Sequence, residues 1–66
     1  MSIFKVIEIV ATSEVSWEEA ARNGVKNAAK TIKNIKSVYL KEQKAIVTGE
    51  NITEFRVILK ISFELT

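Results

Sequence analysis

The sequence predicts an α+β protein with the element order β-α-β-β, in which one helix packs across a three-stranded antiparallel sheet. Three observations lead to this fold class. Branched apolar residues open the chain, a helix-capping signal followed by three- and four-residue apolar spacing occupies its middle, and strict alternation runs through its end. The 66 residues are enough for one small domain, which we place over 1–66.

The first strand is predicted over residues 2–12, where Ile, Val and Phe dominate and only Lys5 and Glu8 are charged. Its apolar side chains fall on both faces of the strand: Phe4, Val6 and Val10 on one, and Ile3, Ile7 and Ile9 on the other. A strand that is apolar on both faces is covered on both faces. One helix covers only one face, so we expect the second face to be buried between subunits.

The helix is predicted to begin at Ser16, because the motif Ser-Trp-Glu-Glu at 16–19 is a capping box in which Ser16 and Glu19 exchange hydrogen bonds. An apolar stripe then continues to about Ile35. We expect it to contact the sheet through Ala21, Gly24, Val25, Ala28 and Ile32. Gly24 costs about 1 kcal/mol relative to Ala inside a helix, which indicates that the helix backbone closely approaches either a sheet or a neighbouring chain.

The last two strands are predicted over 36–47 and 52–65, joined by a turn at 48–51 into one long hairpin. The final strand has the clearest alternation in the chain. One face carries Glu54, Arg56, Lys60, Ser62 and Glu64 together with Ile58, whereas the other is entirely apolar: Phe55, Val57, Leu59, Ile61, Phe63 and Leu65. The apolar face is therefore the predicted core surface.

The composition excludes several kinds of chemistry. With no Cys and no His, the chain has no disulfide, thiol nucleophile, Ser-His-Asp triad or common zinc site. The two glycines, Gly24 and Gly49, are too far apart to form a P-loop and too few for the G-x-G-x-x-G motif. A net charge of +2 and the lack of an apolar run of about 18 residues predict neither a nucleic-acid nor a membrane partner. No signal peptide is predicted at the N-terminus, so we expect a cytoplasmic protein.

Residues Arg22, Lys26, Lys30 and Lys33 recur at helical spacing as a basic stripe. The stripe is typical of a solvated helix face, and the alternative is a phosphate or acidic partner. Trp17 lies on the apolar stripe, which favours packing over the alternative of a stacking platform for a planar ligand.

Three strand carboxylates, Glu42, Glu54 and Glu64, are candidate ligands for a hard cation such as Ca²⁺ or Mg²⁺. No EF-hand spacing is present, so such an ion would be expected at a symmetry axis between subunits. The acidic and basic residues form no recognisable catalytic constellation, and we therefore expect no enzyme.

Four consecutive parts of the sequence carry a resemblance that covers nearly the whole chain. They are residues 4–13, Ser-Trp-Glu-Glu-Ala-Ala at 16–21, residues 29–35, and Glu-Phe-Arg-Val-Ile-Leu-Lys-Ile-Ser-Phe at 54–63. Together they resemble the dodecin family. The resemblance implies a β-α-β-β subunit, assembly into a hollow sphere of twelve identical chains, and the binding or storage of flavins without catalysis.

In flavin-binding dodecins, a tryptophan early in the second strand stacks on the flavin ring and a glutamine on the last strand contacts the ring edge. The corresponding positions here are Ser37 and Arg56. The resemblance thus implies a cofactor site at Ser37 and Arg56, with Glu42 and Lys44 near the polar tail of the ligand. Because aromatic stacking is worth about 1–3 kcal/mol per ring, the loss of the tryptophan predicts weakened binding of FMN, riboflavin or FAD.

Members of the family that lack this tryptophan are associated with calcium. The sequence therefore leaves two functions open. One is a homododecameric shell that stores a flavin or a related small cofactor with weakened affinity, and the other is a flavin-free shell that is structural or binds Ca²⁺.

Overall fold

Three strands and one helix make up the chain in the order that the sequence predicts. The computed structural model describes residues 1–65, so the last residue of the predicted domain, Thr66, lies outside the described residues. The elements are β1 (Phe4–Ser13), α1 (Trp17–Ala28), β2 (Ile35–Thr48) and β3 (Asn51–Glu64). The sheet has the order β1-β3-β2 with both neighbouring pairs antiparallel, and α1 packs on one face. The predicted fold class is confirmed.

The core lies between α1 and the central strand β3. Val57, Leu59 and Ile61 are fully buried there, and Ala11 of β1 and Ala20 of α1 complete the buried cluster. The alternation in β3 places every second side chain on this face, as predicted. At the ends of the strand burial is weaker, because Phe55 and Phe63 are half-buried and Leu65 is exposed.

The start of α1 is fixed by two serines. The Ser16 hydroxyl accepts a hydrogen bond from the Glu19 amide at 3.0 Å, which is the predicted N-cap. The Ser16 amide donates to the Ser13 hydroxyl (3.5 Å), which also accepts from the Val15 amide at 2.9 Å. Ser13 therefore takes the place that the capping box gives to the Glu19 carboxylate.

Gly24 lies where the helix approaches the sheet most closely. A Cβ added at Gly24 would be 2.6 Å from Leu59 Cδ1 and 3.1 Å from Ala11 Cβ, both well inside ordinary contact. The predicted close approach is confirmed, and its partner is the sheet of the same chain.

The helix is shorter than predicted. It ends at Ala28 with a cap at Ala29, and does not continue to Ile35, which instead begins β2 opposite Phe63. Asn34 has a positive φ of 64°, a conformation that asparagine tolerates better than most residues, and its carbonyl accepts from the Glu64 amide at 3.0 Å. Strand pairing at this end overrides the helical spacing of the sequence. Ile32, one of the predicted contacts of the helix, consequently lies beyond it.

The β2–β3 hairpin extends past the rest of the sheet. β1 pairs with β3 only between Phe55 and Glu64, so the part of the hairpin from 46 to 54 has no third strand beside it. Its turn uses Gly49 with a φ of +65°. Val47 and Ile52, on either side of the turn, are both exposed.

Candidate functional site on the outer face of the sheet

The face of the sheet opposite α1, here called the outer face, carries most of the predicted site residues. Partners in an antiparallel pair share a face, so the register fixes which side chains belong to it. Across β1, β3 and β2, one row contains Val10, Ile58 and Glu42, and the neighbouring row contains Thr12, Arg56 and Lys44. Side chains far apart in the sequence are thus adjacent on this face.

These two rows form a shallow cleft of about 160 Å³ lined by Val10, Glu42, Lys44, Arg56 and Ile58. Three of the four predicted site residues are therefore brought together within one chain. The cleft combines an apolar floor with two cationic groups and one carboxylate. Such a surface can hold the edge of a planar apolar ring and an anionic group at the same time.

Arg56 is held in place from one side. Its Nε donates to the two carboxylate oxygens of Glu54 at 3.2 and 3.4 Å, and the side chain is half-buried. Within residues 1–65 its two terminal nitrogens make no hydrogen bond, so they remain free to bind a paired acceptor such as a phosphate or a carboxylate. Lys44 and Glu42 are exposed and take part in no ion pair in the same range.

Ser37 lies on the outer face but away from the cleft. Its hydroxyl is hydrogen-bonded to that of Ser62, its partner on β3. Ser62 is six positions along β3 from Arg56, roughly 20 Å at about 3.4 Å per residue. One chain therefore does not bring Ser37 and Arg56 together. Tyr39 lies on the same face, opposite Lys60, and is exposed.

The candidate cation ligands are dispersed. Glu54 is engaged by Arg56, Glu42 lies in the cleft, and Glu64 is opposite Phe4 at the far end of the sheet. In the described part of the chain, no three acidic residues come close enough to hold a metal ion. The three predicted carboxylates therefore do not form one Ca²⁺ site within the described chain.

The predicted basic stripe is only partly helical. Arg22 pairs with Glu18 at 3.0 Å one turn away, as expected of a solvated helix face. Lys30 and Lys33 follow the end of α1, so they do not continue the stripe on a helix. The stripe was therefore predicted too long, for the same reason as the helix.

Trp17 packs as predicted, but with a polar contact that the sequence does not reveal. Its ring meets Phe55 edge-on, with centroids 4.9 Å apart and an interplanar angle of 76°. Its indole N–H donates to the main-chain carbonyl of Lys44 at 2.9 Å. Val10 and Ile58 were likewise absent from the predicted site. Alternation places both on the outer face, but only the strand pairing puts them beside Arg56.

Among residues 1–65, α1 is too short and too polar to cross a membrane.

Comparison with known proteins gives one consistent result. The family model described as Dodecin matches residues 3–66. Calcium dodecin from Mycobacterium tuberculosis is 35% identical over 65 residues, which cover 98% of this chain and 92% of the relative. Its crystal structure, described as having a novel calcium-binding site, has a TM-score of 0.85 at 34% identity and covers 98% of this chain and 93% of its own. The crystal structure of a tryptophan-to-phenylalanine variant of Thermus thermophilus dodecin has a TM-score of 0.93 at 27% identity. The match covers 100% of this chain and 98% of the variant's chain. The chain therefore belongs to the dodecin family.

Proposed function

We propose that this dodecin is a non-enzymatic binding protein, with residues 1–66 acting as one domain that assembles into a closed shell of twelve identical chains. The shell binds a flavin or a related phosphate-bearing cofactor with weak affinity and stores it in the cytoplasm. The outer-face cleft is the part of each chain that contacts the ligand, and no nucleic acid or membrane takes part.

One observation carries this proposal: Glu42 and Lys44 of β2 line a single cleft with Arg56 and Ile58 of β3 and Val10 of β1, three segments that are distant in the sequence. The free terminal nitrogens of Arg56 suit a ring-edge carbonyl or a phosphate, and Lys44 adds a second cation beside them. The apolar pair gives a planar ring a surface to lie on.

Ser37 limits the affinity, and because it lies roughly 20 Å from Arg56 in its own chain, we expect a neighbouring copy to bring it to the ligand. The ligand that dodecins sandwich between tryptophans finds a hydroxyl at this position, already hydrogen-bonded to Ser62. Each missing stacking partner removes about 1–3 kcal/mol. The contacts offered by Arg56 do not replace this loss, so we expect flavin dissociation constants in the micromolar range or weaker.

Titration of the purified protein with FMN, followed by quenching of flavin fluorescence, tests the proposal. We expect quenching at tens of micromolar, and Arg56→Ala should weaken binding about tenfold because a charge-assisted contact is lost. Lys30→Ala is the matched control, since it removes an exposed cation that is not part of the cleft. The flavin proposal is wrong if the parent protein fails to quench, or if both variants behave alike.

A second candidate function is a flavin-free shell that binds Ca²⁺. The observation that favours it is the 35% identity with calcium dodecin. Of the three strand carboxylates proposed as ligands, Glu42 is the best placed, because Glu54 is paired with Arg56 and Glu64 is half-buried, whereas Glu42 is exposed and forms no ion pair within the described residues. Its coordination would be completed by a second copy of the chain.

Calorimetry with Ca²⁺ in the absence of flavin separates the two functions. The calcium function predicts saturable heat that Glu42→Gln abolishes, whereas the flavin function predicts no saturable heat. Glu14→Gln serves as the control, because Glu14 is an exposed carboxylate in the loop before α1.

A further inference from the structure

The edge of the cleft that carries Lys44 belongs to a part of β2 with little support of its own. β2 is an edge strand, paired only with β3. Its register with β3 shifts between Leu40 and Glu42 and again between Ile46 and Val47. The segment 42–46 is thus a regular stretch bounded by two irregularities. Such interruptions locally disrupt the ladder and bend the strand, so the ladder alone leaves the position of this segment weakly fixed.

Trp17 supplies a second attachment for this segment from the opposite face of the sheet. The helix packs chiefly on β1 and β3, and reaches over to β2 through the indole ring. The ring lies edge-on to Phe55, whose partner on β2 is the small residue Ala45. From there the indole N–H reaches the Lys44 carbonyl, which lies at the middle of segment 42–46.

We propose that Trp17 is a positioning residue for the cleft: its indole N–H fixes the Lys44 backbone and thereby the direction in which the Lys44 side chain enters the site. Trp17 does not line the cleft. Any effect of Trp17 on a ligand is therefore indirect, and the proposed route is the hydrogen bond to Lys44. This inference rests on the proposed binding function of the cleft. The hydrogen bond from the Trp17 indole to the Lys44 carbonyl, here called the clamp, can nevertheless be measured without any ligand.

Trp17→Phe removes the N–H donor and keeps an aromatic ring against Phe55. Ala28→Gly is the control, because it weakens the same helix at its other end without touching β2 at Lys44. The comparison of the two variants separates loss of the clamp from general loss of helix stability. Sedimentation of both variants establishes that each retains the assembly of the parent.

Hydrogen exchange followed by mass spectrometry measures directly how firmly the clamp holds segment 42–46. In Trp17→Phe, amides in peptides covering 42–46 should exchange about threefold faster or more, because a hydrogen bond that holds the segment is gone. The same peptides in Ala28→Gly should exchange like those of the parent. Equal exchange of segment 42–46 in Trp17→Phe and the parent would overturn the inference, whether or not any ligand binds.

FMN titration then tests the link to binding. Trp17→Phe should weaken FMN binding about threefold to tenfold, and Ala28→Gly should leave it unchanged. In a Lys44→Ala background, Trp17→Phe should have no further effect, because the two residues act through one contact. Additive losses would mean that Trp17 does not act through Lys44, and the positioning role would be wrong. Absence of FMN binding in the parent, with faster exchange in Trp17→Phe, would reject the proposed flavin function and leave the clamp standing.

Discussion

Gly24 shows how a single residue sets the distance between helix and sheet. Its missing side chain leaves room for Leu59, which is fully buried, and for Ala11. The space that would hold a Cβ is already occupied, so the usual helix penalty of glycine is offset by the close packing that it permits. Gly24 thus destabilises the helix locally and stabilises its packing against the sheet.

Substitution of Gly24 should therefore destabilise the protein even where helix propensity improves. Gly24→Leu should lower the free energy of unfolding by about 1–3 kcal/mol or more through overpacking. Gly24→Ala should also be less stable than the parent, although alanine is the better helix former by about 1 kcal/mol. Thermal unfolding measures both, with the exposed Lys30→Ala as the neutral control. A stabilised alanine variant would contradict the close approach.

Ser37 offers the complementary test at the binding face. Ser37→Trp places an aromatic ring at the position where dodecins stack flavin, and should tighten FMN binding about tenfold or more. Ser37→Ala is the matched control, since it also breaks the bond to Ser62 but adds no ring. Fluorescence quenching compares the two. If the tryptophan variant binds no better than the alanine variant, stacking is not the missing contribution.

At the scale of elements, β2 differs most from a regular strand. Three register shifts divide its pairing with β3, at its start, its middle and close to the turn. The hairpin continues beyond β1, so its end is held by the β2–β3 ladder, by the turn, and by hydrogen bonds of the Thr53 hydroxyl to the Thr48 hydroxyl (3.2 Å) and the Ile46 carbonyl (3.4 Å). The turn is therefore the part of the fold where backbone conformation, and not packing, decides stability.

Gly49 makes this point measurable. Its φ is +65°, and a Cβ built there meets no atom within 4 Å, so a substitution changes only the backbone energy. Gly49→Ala should cost about 1–2 kcal/mol, the usual penalty of the left-handed region. Gly49→Asn should cost less, because asparagine tolerates that region. Urea unfolding midpoints should rank the parent first, the asparagine variant second and the alanine variant last; an alanine variant equal to the parent would refute this.

At the scale of the whole molecule, β1 exposes on its outer face apolar side chains that a monomeric protein of this size would bury. Phe4, Val6 and Val10 are 49%, 55% and 63% exposed in the single chain. The helix covers only the other face, where Ile7, Ile9 and Ala11 pack against the core. The proposed shell would bury this face between copies of the chain.

Assembly should therefore depend on this face. Sedimentation of the parent should give a mass near twelve times the 7.4-kDa chain. Val6→Glu should shift the protein to smaller species, because it introduces a charge into a buried contact. Val6→Ile, which keeps the position apolar, should assemble like the parent. A parent mass near one or two chains, or an intact assembly of the glutamate variant, would contradict the proposed shell.

The sequence by itself determined the features that neighbouring residues encode. Four predictions were correct: the order of the elements, the N-cap at Ser16, the apolar face of β3, and the close approach of the helix at Gly24. Each depends on periodicity, or on the chemistry of residues within a few positions of each other. The family resemblance also comes from the sequence alone, because it lies in the order of whole segments.

Only the tertiary structure decided the features that depend on pairing across the chain. The helix stops at Ala28 because the segment that follows it must begin β2 opposite Phe63, a constraint set about 30 residues away. The cleft exists because β3 lies between β1 and β2 and places Val10 beside Arg56. The bond from Trp17 to Lys44 has the same origin. Local patterns predicted the β2–β3 hairpin, but they do not show that β3 lies between β1 and β2 or where the register shifts, because these features depend on the packing of all four elements together.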